Sequence, residues 1–180
     1  MDNSTKQKIL PFSLTALVIA LDQVVKALIV RNWPIQGMFI TDIFDNDLII
    51  LYHVRNKAIA FSIGQNVSEP VRVVMFILVP VLVLIFLFWY YLKAADFSKI
   101  QRWAIAGILG GGIGNIIDRI FRKDGVVDFI SVKFYGIFGL QRWPTFNVAD
   151  ASVVICCIIL LVTMFISKEE NVKNNKESSR

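Results

Sequence analysis

Asp128, in Val126-Val127-Asp128-Phe129, and Asp150, in Phe146-Asn147-Val148-Ala149-Asp150, are carboxylates at the edges of segments apolar enough to lie in lipid. A charge there is costly, and a chain that keeps one usually needs it for chemistry. Two carboxylates sharing a site do not both ionise easily. One keeps a proton and the other does not, which supplies an acid and a base at neutral pH. Adding water to a peptide carbonyl needs that pair. Taken singly, each has a plainer reading: Asp128 as a loop or cap carboxylate, Asp150 as a negative charge favoured at a helix start. Asn147, three residues before Asp150, can meet it there and makes that end unusually polar.

These residues need elements to hold them, and composition says which. Of 180 residues, 56% are hydrophobic and 18% charged, against about 25% charged in a soluble domain. Val73 to Leu92 is twenty residues without a charge, enough for roughly 30 Å of helix. The expected architecture is an all-α integral membrane protein. Its four transmembrane helices cover about residues 9–30, 71–92, 103–120 and 148–167, with a small β-sheet outside the bilayer core over about 37–64. The sheet rests on the alternating and β-branched runs Met38–Ile43 and Leu48–Val54. Residues 93–102 read as a short charged connector, 121–145 as a loop broken by Gly125, Gly136, Gly139 and Pro144, and 168–180 as a polar, disordered tail. The first span reads as a retained helix rather than a cleaved signal segment, because apolar sequence resumes after Asp22 and Lys26.

Four spans put both termini on one side of the membrane. Apart from Lys26, within the first span, the basic residues divide nine and nine between the two sides, so the positive-inside rule does not orient the chain. The net charge of +5 is scattered at the flanks of apolar segments, which suits anchoring in lipid and not a nucleic-acid surface.

Further polar groups lie within or beside the spans. Asp22 and Lys26 are four apart on one helix face, acid before base, as either a packing salt bridge or an orienting group. Gly110 to Arg119 (GGGIGNIIDR) combines glycines that admit a close neighbour with Asn115 and Arg119 on one face and Asp118 turned elsewhere. Asn56 opens the run NKAIAF at the end of the sheet. His53 is the only histidine, and HExxH, CxxC and P-loop patterns are absent from the sequence, so zinc-hydrolase and nucleotide-binding chemistry lack their parts. Adjacent Cys156 and Cys157 point in different directions on a helix and read as small packing residues. Ser62 or Ser152 with Lys26 is a rival nucleophile–base pair. Buried Asp22, Lys26 and Asp118 also allow a proton or ion pathway, or a scaffold whose polar groups only join helices.

Together the motifs resemble the lipoprotein signal peptidase family, also called type II signal peptidases. Asp22-Gln23-Val24-Val25-Lys26 is similar to the family's D-Q-x-x-K, and Asn56 to Phe61 to N-x-G-x-A-F, with Ala58 where the family usually has glycine. Gly110 to Arg119 is similar to G-G-x-x-G-N-x-x-D-R, Asp128 lies in V-x-D-F, and Asp150 in F-N-x-A-D. The resemblance runs from Asp22 to about Ile155 and implies an aspartic membrane endopeptidase, independent of any cofactor or metal. Such an enzyme removes the signal peptide from a lipid-modified prolipoprotein, cutting before the diacylglyceryl cysteine. It implies Asp128 and Asp150 as the catalytic pair, with Asp22, Lys26, Asn56, Asn115, Arg119 and Asn147 binding substrate or supporting the site. It further implies the bacterial inner membrane, both termini cytoplasmic and the carboxylates near the outer face, with inhibition by globomycin-type cyclic peptides; the chain is expected to be a monomer amid membrane lipid.

Overall fold

The computed structural model describes residues 3–34, 36–57, 68–94 and 96–178, with side chains over residues 5–166 of these. Four helical spans, Thr5–Asn32, Glu69–Lys93, Lys99–Phe121 and Val148–Ile166, are long and apolar enough to cross a bilayer. This is a multi-pass membrane protein. The first span comprises α1 (Asn3–Ile9) and α2 (Phe12–Asn32), joined at Pro11. The second runs through α3 (Glu69–Val73), a π-helical turn at Val74–Leu78 and α4 (Val79–Lys93). The widened turn has a local cause. Pro80 lacks an N–H and its ring crowds the carbonyl four residues back, so the preceding turn loosens and Val79 N–H reaches the Val74 carbonyl.

The third span, α5 (Lys99–Phe121), is the centre of the bundle. It begins with a capping box in which Ser98 Oγ accepts from Gln101 N at 3.3 Å and Gln101 Oε1 accepts from Ser98 N at 3.0 Å. Its glycines let neighbours approach. A Cβ on Gly111 would meet the Ala149 carbonyl oxygen, and one on Gly114 would stand 2.9 Å from Asp22 Oδ2. The helix carrying Asp150 and the side chain of Asp22 can therefore lie against α5 backbone, as small residues permit in membrane bundles. Lipid faces are apolar: Leu82, Phe86, Leu161 and Phe165 are all exposed.

The fourth span is the start of α6 (Val148–Ser178). Over residues 168–178 the expected disordered tail is instead a continuation of this helix. No glycine or proline occurs between Val148 and Ser178, and Glu169 stands four residues before Lys173, the helix-favouring order.

The sheet has three antiparallel strands in the order β1 (Phe39–Asp42), β2 (Ile49–Asn56), β3 (Val126–Val132). β3 corrects the reading of 121–145 as a loop. Its hidden signal was burial without alternation: Val126, Val127, Asp128 and Phe129 are all buried, so the run shows no period of two. Asp128 pairs with Val54 in the register. The segment entering α6 is stitched to the other edge of β3: the Phe146 carbonyl accepts from Phe129 N at 3.0 Å and Ile130 N at 2.8 Å, and Phe146 N donates to the Ile130 carbonyl at 2.9 Å. Ile29, Val127 and Phe129 seat the sheet on the end of α2. Ala58 and the rest of the 58–64 part of the expected sheet, with Ser62, lie outside the described residues.

Candidate active site

Three elements meet where β3 crosses the bundle. β3 brings Asp128, the first turn of α6 brings Asp150, and α5 lies beneath both with Asn115. Asn147 joins the two acids. Its side-chain Nδ2 donates to Asp128 Oδ1 at 2.7 Å, and its backbone N–H donates to Asp150 Oδ2 at 3.1 Å. Its Oδ1 accepts from the Asp150 backbone N–H at 2.9 Å. Asn147 and Asp150 thus form a reciprocal cap on α6, and the plain reading of Asp150 as a helix-start charge describes half of its position.

The remaining carboxylate oxygens are also held by neutral amides. Asn56 Nδ2 donates to Asp128 Oδ2 at 2.9 Å, and Asn115 Nδ2 donates to Asp150 Oδ1 at 2.7 Å. Asn115 Oδ1 accepts from Lys26 Nζ at 3.0 Å and from Asn147 Nδ2 at 3.1 Å, which fixes its amide orientation. Among the described residues, neither Asp128 nor Asp150 has a salt bridge.

A second layer treats its carboxylates in the opposite way. Lys26 Nζ lies 2.8 Å from Asp22 Oδ2 and 3.1 Å from Asp118 Oδ2, all three side chains fully buried. With Asn115 this uses all three ammonium protons. Asp118 also accepts from Arg122 Nε at 2.9 Å, Gln23 Nε2 at 3.1 Å and the Val127 backbone N–H at 3.0 Å. Asp22 Oδ1 accepts from Ala149 N at 3.0 Å. Asp118 therefore grips β3 one residue before Asp128, and Asp22 grips α6 one residue before Asp150.

Burial, then the neighbouring negative charge of Asp150, push the Asp128 carboxyl up to about 7, against the opposing hydrogen bonds from Asn56 and Asn147. Asp128 is 2% exposed, and desolvation is the larger cause. This group therefore holds or releases a proton near neutrality.

The site residues expected from sequence come together here: Asp128, Asp150, Asn56, Asn115, Asn147 and, beneath them, Asp22 and Lys26. Arg119 lines the same cavity of about 320 Å³ and interacts electrostatically with both Asp150 and Asp128. That cavity joins Asp128, Asp150 and Asn56 to an apolar side made by Pro80, Ile116, Val153 and Val154. Sequence reasoning gave Gln23 and Arg122 no role and placed Asp118 only in the rival ion pathway; Gln23 sits between Asp22 and Lys26, which was the available signal. The serine rival fails at Ser152, whose Oγ donates to the Gly107 carbonyl at 3.0 Å. Lys26 Nζ is engaged instead by Asp22, Asp118 and Asn115.

The chain matches the family model described as signal peptidase II over residues 14–166. It is 46% identical to the lipoprotein signal peptidase of Treponema denticola, over 96% of this chain and 99% of that protein. Its identity with the lipoprotein signal peptidase of Treponema pallidum is 40%, over 94% and 89% of the two chains. A solved structure described as "Bacterial membrane enzyme structure by the in meso method at 2.3 A resolution" superposes with a TM-score of 0.73 at 26% identity, covering 89% of this chain and 90% of that one. A second, described in the same words at 1.9 A resolution, gives 0.71 at 28% identity over 86% and 91%.

Proposed function

The chain belongs to the signal peptidase II family, and on that premise we propose that it cleaves the signal peptide from lipid-modified prolipoproteins, with Asp128 and Asp150 as an aspartic dyad. The observation that carries this assignment of residues is the Asn147 bridge, which holds two carboxylates without a cation between them at the wall of an apolar-sided cavity.

In this mechanism Asp128, buried and poised near neutrality, serves as the acid and Asp150 as the base. The two titrate as a unit. Asp150 takes a proton from a water, whose oxygen attacks the carbonyl carbon of the residue before the lipidated cysteine. Asp128 gives its proton to the carbonyl oxygen, forming a gem-diol. Asp150 then protonates the departing cysteine amine as the C–N bond breaks, and the diol returns a proton to Asp128. Each aspartate ends as it began. Arg119 and Asn56 hold the substrate backbone at the cavity wall.

The apolar side of the cavity suits a signal peptide that arrives from the membrane as a helix, its diacylglyceryl chains remaining in lipid. The protein acts as a monomer in the bacterial inner membrane, with both termini cytoplasmic and the dyad near the outer face. A globomycin-type cyclic peptide competes for the same cavity. The test is cleavage of a purified diacylglyceryl prolipoprotein by the purified protein, beside the unmodified precursor. Cleavage of the lipidated form alone supports the reading; no cleavage of either by folded protein overturns it.

A further inference from the structure

A second cavity of about 510 Å³ adjoins the catalytic one and shares Asn56 and Arg119 with it. Its charge is one-sided. Lys57, Arg72, Arg119, Arg122 and Lys123 line it, and Glu69 is the acid among the described lining residues. Arg122 is paired with Asp118 and Arg119 feels the charges of Asp150 and Asp128, but among the described residues Lys57 and Lys123 have no ion-pair partner.

The opposite wall is apolar. Val73, Phe76, Ile77 and Ile120 form it, and Val73 and Ile120 are exposed where the helices face lipid. The cavity lies between the start of α3, at Glu69, and the end of α5, at Phe121, so it sits where two spans leave the membrane. A free anion needs no apolar wall, and an apolar ligand needs no five bases. A molecule with an anionic head and hydrocarbon behind it satisfies both sides.

We infer that this cavity is a binding site for the phosphodiester headgroup of an anionic membrane phospholipid, whose acyl chains run down the exposed face of α3 and the end of α5. Lys57 and Lys123, both exposed at the rim, meet the phosphate, and the bound lipid stands beside the cavity that takes the scissile bond. The site rests on the membrane placement of the helices and not on the identity of the catalytic pair.

The full chain, purified in uncharged detergent, would be titrated with dihexanoyl phosphatidylglycerol, dihexanoyl phosphatidylcholine or inorganic phosphate, reading the melting temperature. The anionic lipid should give a saturable rise at tenfold lower concentration than the zwitterionic one, and inorganic phosphate none. Lys57→Gln with Lys123→Gln should weaken the apparent affinity by about thirtyfold. Lys93→Gln with Lys99→Gln, at the far end of the helices, should leave it unchanged. Equal affinity in the Lys57/Lys123 variant, or equal responses to the two lipids, overturns the site. An equal rise with inorganic phosphate overturns the lipid as its ligand. Prolipoprotein cleavage followed in the same samples separates this outcome from the proposed activity, since a wild type that cleaves without lipid-dependent stabilisation sinks only the lipid site.

Discussion

The side-chain amide of Asn147 donates to Asp128 at 2.7 Å, and through this one bond the strand β3 and the helix α6 present their acids to a common cavity. The same residue caps α6 at Asp150, so position and capping reside in one side chain. Asn147→Ala should lower kcat by roughly a hundredfold through lost positioning and cost about 1 kcal/mol of stability through the lost cap. Asn147→Ser separates the two effects: serine restores the cap but cannot bridge to Asp128. Initial rates and melting curves on both variants should show stability rescued and kcat still low.

Asp128 sets a pH dependence with a definite sign. Burial and the charge of Asp150 raise its carboxyl to about 7, and the mechanism needs its proton, so kcat/KM should fall as pH rises through about 7. Stability depends on pH in the same direction. The folded state binds this proton more tightly than the unfolded chain, whose aspartate titrates near 3.9. The resulting stabilisation is complete below about pH 4 and lost as pH rises through about 7. Wild type should melt at lower temperature at pH 8 than at pH 5, and Asp128→Asn should shrink that difference.

Lys26 is held by two fully buried carboxylates, and its removal would leave both without their shared cation. Lys26→Met should destabilise the protein by about 3–5 kcal/mol, visible as a large drop in melting temperature in detergent and in yield. Lys26→Arg should fare little better, since a planar fork does not reproduce three diverging ammonium bonds to Asp22, Asp118 and Asn115. An unchanged melting temperature for Lys26→Met would show that this network carries no stability.

Gly111 is where α6 touches the backbone of α5. An alanine methyl there meets the Ala149 carbonyl oxygen and, at 2.7 Å, Val153 Cγ2. Neither is the far end of a flexible side chain, so α6 must shift, carrying Asp150 away from Asn115. Gly111→Ala should cost more than about tenfold in kcat while the protein remains folded, as judged by helix content and a cooperative melt.

Much of this was legible in the sequence because its physical causes are local. Long uncharged runs forced four helices, and Asp22 with Lys26 at a spacing of four could hardly avoid one another in a membrane. The motifs around Asp128 and Asp150 pointed to the dyad. β3 was not legible, because Val126 to Phe129 are buried on both faces and therefore lack the alternation that marks a half-exposed strand. Its pairing with Asn56 and Phe146 is also long-range, and sequence spacing carries no trace of it. The part Asp118 plays beneath the dyad was not legible for a related reason: its partners come from α2, the cap of α5 and β3 at once.

The most direct measurement compares single-turnover cleavage of a diacylglyceryl prolipoprotein by wild type, Asp128→Asn and Asp150→Asn, each shown to be folded by its melting curve. Wild type should cleave and each variant should lose at least about a thousandfold, because neither remaining carboxyl can serve as both acid and base. Turnover within tenfold of wild type by either folded variant would contradict the dyad.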